Sequence, residues 1–119
     1  MFKVQKIDGR FKAHSLYQYQ AKPVGYYWRQ MHPQTADVLL LKFIKARNWC
    51  TEQWGTGHEI EVCLGVHRFT NDIVNPHWAY EIEYAPGNLE TKFRIYLASE
   101  VEASYFAMVW ATDDNSGNQ

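Results

Sequence analysis

The sequence predicts an α+β domain: an antiparallel sheet of about five strands with two helices packed on one face, in the order ββ-α-βββ-α. Three observations predict it. Residues 78–84 and 91–97 alternate apolar and polar around a Pro86-Gly87 turn signal; residues 35–50 repeat apolar side chains at three- and four-residue spacing; Ser99 with Glu102 opens a second helical pattern. At 119 residues the chain has room for one core. The expectation is a single domain over 1–111 and a disordered tail over 112–119, which is rich in Asp, Asn, Ser and Gly.

The N-terminal strand is read from Phe2-Lys3-Val4-Gln5-Lys6-Ile7, followed by Asp8-Gly9, a hairpin signal because type I′ turns need positive φ at both central positions. Residues 10–14 are then the returning strand. Residues 15–31 are less regular, a strand around Tyr17-Gln18-Tyr19-Gln20 and a dense block at Tyr26-Tyr27-Trp28 punctuated by Pro23 and Gly25. A helix follows, capped by Thr35, with Asp37 in its first turn and Lys45 and Arg47 toward its end, as the helix dipole favours. Ala36, Leu39, Leu40, Phe43, Ala46 and Cys50 form its apolar stripe, which Leu41, Ile44 and Trp49 broaden, and Gly55 and Gly57 terminate it.

Residues 58–66 read as a half-buried strand, with Ile60, Val62, Leu64 and Val66 inward and Glu59, Glu61 and Cys63 outward. Trp78, Tyr80, Ile82 and Tyr84 mark the next strand; Phe93, Ile95 and Leu97 mark its hairpin partner. The last helix runs through Val101, Tyr105, Phe106, Val109 and Trp110.

The net charge of −1 conceals an asymmetry. Residues 1–48 carry nine basic and two acidic groups, a balance of +7; residues 49–119 carry three and eleven, a balance of −8. Such asymmetry suggests a polyanion partner, and the competing reading is mutual neutralisation within the fold. Only Cys50 and Cys63 are present, so no disulfide framework is built, and no apolar run resembles a signal peptide or a membrane span. A reduced, cytoplasmic protein is the expectation.

Catalytic grammar is absent. There is no P-loop, no dinucleotide fingerprint, no G-x-S-x-G and no H-E-x-x-H, and Ser15, Ser99, Ser104 and Ser116 have no evident base. No cofactor is implied. Cys50, His58, Cys63 and His67 have ligand chemistry for zinc but neither the paired spacing nor one strand face, so no metal site is assigned. Glu59, Glu61, Glu81 and Glu83 form an acidic face whose central pair, Glu81 and Glu83, is expected opposite Lys92 and Arg94 across the hairpin.

Aromatics are abundant, 5 Trp, 8 Tyr and 6 Phe, and periodicity assigns about twelve of them inward. Of the seven that remain, four gather in residues 17–28, inside the basic half. Arg10, Lys12, Tyr19, Tyr26, Tyr27, Trp28 and Arg29 are therefore the candidate binding residues. Tyr, Trp and Arg dominate protein interfaces, which makes protein–protein interaction, with another protein or a second copy, the leading function. Single-stranded nucleic acid bound through residues 10–47 is the alternative, since basic groups would track phosphates while rings stack on bases.

The stretch Ala46-Arg47-Asn48-Trp49-Cys50-Thr51-Glu52-Gln53-Trp54-Gly55, and Arg94-Ile95-Tyr96-Leu97 through Ser99-Glu100 to Phe106 and Trp110, resemble small uncharacterised proteins of tailed bacteriophages. The resemblance implies a phage-encoded accessory factor acting on a host or viral macromolecule in the host cytoplasm. It carries no site residues with it.

Overall fold

Among the described residues four strands realise the alternation in the sequence: β1 (Phe2–Lys6), β2 (Tyr19–Pro23), β3 (Trp78–Glu83) and β4 (Lys92–Leu97). They form one antiparallel sheet in the order β1-β2-β4-β3. The structure, a computed structural model, describes residues 2–23, 33–67, 74–83 and 92–111, the side chains excepted at 33–38, 66, 67, 83 and 92. The expected β3–β4 hairpin pairing is present, with Glu81 opposite Arg94 and Glu83 opposite Lys92.

Each face of the sheet carries a buried cluster, covered by different elements. On one face Phe2, Ala21, Trp78, Ile95 and Leu97 meet α1 (Pro33–Trp54) and α3 (Glu100–Trp110), the two helices the sequence predicts there. Phe43 of α1 stacks on Phe93 at 5.5 Å, and Phe2 packs edge-on against Phe106 of α3 at 5.5 Å. Each such ring, taken out of water, stabilises the fold by about 1.5–3 kcal/mol. Arg47 closes the margin of this core with its guanidinium 5.2 Å from the Tyr80 ring centroid.

A smaller cluster on the opposite face joins Ala79 and Tyr96 of the sheet to Ile7, Ala13, Tyr17, Ile60 and Cys63. Its cover is α2 (Ile60–His67) and a 3-10 turn at Lys12–Ser15. This second layer corrects the expectation for residues 58–66. Over so short a segment periods of 2 and 3.6 fit alike; Ile60 and Cys63 fall on one helical face and are buried, while Val62 is 49% exposed. Glu59 starts the helix, its side-chain Oε2 accepting from Glu61 N at 2.9 Å, and keeps only an isolated parallel bridge to Tyr80.

The N-terminal hairpin is corrected as well. Among the described residues only Gly55 has positive φ, so Gly9 does not make the expected type I′ turn. Asp8 instead accepts from Arg10 N at 3.0 Å through its side chain and from Phe11 N at 3.0 Å through its carbonyl. The chain then winds into the 3-10 turn, and β1 pairs with β2, with Phe2 opposite Pro23. This also separates Tyr17 from Tyr19: Tyr17 lies in the second cluster and Tyr19 packs on the first, not on one side of one strand.

Helix α1 starts at Pro33 rather than after a Thr35 cap, consistent with proline's preset φ and absent N–H in a first turn. It runs to Trp54, which leaves Lys45 and Arg47 in mid-helix rather than at its end. Gly55, at φ 88°, ends it. The Pro86-Gly87 turn, Tyr84 and the 112–119 tail lie outside the described residues. Among the described residues no helix is long and apolar enough to cross a membrane.

Candidate functional site

Helix α3 begins as its sequence dictates. The Ser99 hydroxyl accepts from Val101 N at 3.3 Å, and Glu102 Oε1 accepts from Ser99 N at 3.1 Å and from Ser99 Oγ, completing the capping box. The other oxygen of Glu102 lies 2.9 Å from His77 Nδ1. Burial pushes the Glu102 carboxyl up, but hydrogen bonds from His77 and Ser99 outweigh it, and the group titrates below its ordinary value. An ionised Glu102 requires the proton on His77 Nδ1. In a hydrolytic triad the imidazole lies between hydroxyl and carboxylate; here the carboxylate lies between the other two, so Ser99 gains no base.

His77 stacks on Trp54 with 23° between the planes, and Trp54 stands edge-on to Trp49 and Tyr105. Trp49 reaches Tyr105 at 5.2 Å, and Tyr105 donates its hydroxyl to Gln53 Oε1 at 3.0 Å. These contacts fasten α3 to the C-terminal end of α1 and fix which way α3 faces.

Its inner side presents Glu102, Ala103 and Phe106. Its outer side presents Val101 at 77%, Met108 at 71%, Val109 and Tyr105, all exposed. At 100° per residue these four fall within one arc, and the helix has no charge beyond its first turn. Sequence periodicity places Val101, Tyr105 and Val109 in the buried stripe with Phe106; the structure places them outside. The available signal was an eleven-residue helix with two charges and apolar residues on both sides, more than one buried stripe accommodates.

The described members of the predicted binding set do not converge. Arg10 is held by Asp8, Nε to Oδ1 at 3.0 Å and a second nitrogen to Oδ2 at 2.9 Å. Lys12 pairs with Glu61 of α2, which raises its ammonium above the ordinary value. Tyr19 packs half-buried on the opposite face of the sheet from these two. Tyr26, Tyr27, Trp28 and Arg29 lie outside the described residues.

The acidic face is likewise divided. Glu59 caps α2, Glu61 holds Lys12, and Glu81 accepts from Tyr96 Oη at 3.1 Å with Arg94 at 3.8 Å. Burial pushes the Tyr96 hydroxyl up to about 12. Cys50 and Cys63 sit in different cores on opposite faces of the sheet, so they cannot share one metal ion. Burial pushes both thiols up, away from the reactive thiolate. No protein-family model matches the chain, and no curated protein or solved structure is similar enough to be matched with it.

Proposed function

We propose that this protein is a non-enzymatic binding protein that acts by protein–protein interaction, with the outer face of α3 as its contact surface. One observation carries the reading: Val101, Tyr105, Met108 and Val109 are exposed together on a helix whose opposite side is already packed. Contiguous apolar surface of this kind is unusual on a monomer and marks interaction sites. Tyr105 is held at the margin by Trp49, Trp54 and Gln53, so a partner would meet a prearranged ring. A host or viral protein, or a second copy of the chain, is the partner class, and the phage-encoded accessory role belongs to the same proposal through the resemblance alone.

The test compares the native chain with Val101→Glu/Met108→Glu by light scattering over a concentration series and by affinity capture from host lysate. Loss of self-association or of a captured protein, with an unchanged melting temperature, supports the reading. Identical mass and identical capture for both chains would sink it.

A further inference from the structure

The sheet face opposite α1 and α3 carries a row of cations across three strands. Register sets Lys3 of β1 directly against Lys22 of β2. The β2–β4 register, in which Ala21 faces Ile95, brings Arg94 next to Lys22 when continued by one residue. Among the described residues Lys3 and Lys22 make no ion pair, while Arg94 approaches Glu81 at 3.8 Å and also interacts with Tyr96. The covering elements on this face, α2 and the 3-10 turn, pack on Ala79 and Tyr96 in the neighbouring part of the sheet.

Like charges directly opposite on paired strands oppose folding. Lysine on an edge strand is an ordinary guard against edge-to-edge pairing, which accounts for Lys3 on β1 but not for Lys22 on the interior strand β2. A polyanion laid across the row neutralises the repulsion. Neighbouring strands are about 4.8 Å apart, so the three positions span roughly 10 Å, from which long Lys and Arg side chains can reach neighbouring phosphates along one strand. The two long helices lie on the other side and α2 packs over the neighbouring part of the sheet; sheet faces commonly receive single strands.

We propose that Lys3, Lys22 and Arg94 form a binding site for the phosphate backbone of single-stranded nucleic acid. Tyr96 on this face is buried with its hydroxyl on Glu81, so stacking contributes little and base preference is weak. The site lies away from α3 and is independent of the protein interface proposed there.

Fluorescence anisotropy with a labelled oligothymidylate and with a duplex of equal length, across a potassium chloride series, tests it. Three phosphate contacts on a single strand give a log–log salt slope of about −2. Lys3→Glu and Lys22→Glu should each weaken binding about five- to tenfold and flatten the slope, while Lys45→Glu, the same charge change on the exposed side of α1, leaves it unchanged. Lys22→Glu should melt no lower than the native chain, which separates lost binding from lost folding. Absent binding at low salt, tighter binding to the duplex, or equal losses from Lys45→Glu would overturn the proposal.

Discussion

Asn75 shows how much one side chain carries in this fold. Its Nδ2 donates to the carbonyls of Trp54 and Thr56 at 3.0 and 3.1 Å, and its Oδ1 accepts from His77 N at 2.8 Å and Trp78 N at 3.3 Å. Asn75→Ala leaves those backbone groups unpaired, and a loss of about 3 kcal/mol by denaturant unfolding is expected. Close by, a Cβ on Gly57 would lie 2.6 Å from the buried Trp78 ring, so Gly57→Ala should destabilise by about 1–3 kcal/mol or more, against a smaller cost for Gly9→Ala, where nothing lies within 4 Å. Glu102 gives a pH dependence. Its folded-state value lies below the ordinary 4.5, so its contribution is full above that value and is lost as pH falls through the lower one. Thermal melts from pH 7 to pH 3 should show a shallower acid loss for Glu102→Gln than for the native chain; parallel curves would refute this role.

At the scale of elements, sequence legibility followed segment length and the number of patterns a segment could satisfy. The β3–β4 pair, including Glu81 opposite Arg94, and the Ser99–Glu102 cap were legible because alternation and capping each admit one arrangement. Helix α2 was not, because Ile60, Val62 and Leu64 suit a strand while Ile60, Cys63 and Leu64 suit a helix, and the choice fell to the sheet surface that needed covering. The outward turn of Val101 and Tyr105 depended on Trp49, Trp54 and Gln53, residues about fifty positions earlier, a contact no local pattern encodes. The same ambiguity yields a discriminating substitution. A strand puts Val62 inside and Cys63 outside; the helix reverses them. Val62→Lys should therefore change stability by less than about 0.5 kcal/mol, and Cys63→Lys should cost several, on the order of a buried unpaired charge. Comparable losses at both positions would argue against α2.

Across the whole molecule the charge asymmetry of the sequence becomes a question of which charges meet. Lys12 and Glu61 join the basic and acidic halves, and Arg94 stays with Glu81 inside the acidic half. Lys3 and Lys22, both from the basic half, face each other instead. Neutralisation between the halves is thus incomplete, and part of the unmatched charge lies on one sheet face. Replacing Lys22 by Glu converts a like-charge cross-strand pair into an opposite-charge pair, worth about 0.2–1 kcal/mol, or a rise of about 1–5 °C in melting temperature for a domain of this size. Because both groups meet solvent at the sheet surface, 1 M salt, with a screening length of about 3 Å, should remove most of that gain. A melting temperature that falls on substitution, or a gain equal at low and high salt, would mean that Lys22 is held by something other than its opposite neighbour, and the cationic row would lose its physical basis.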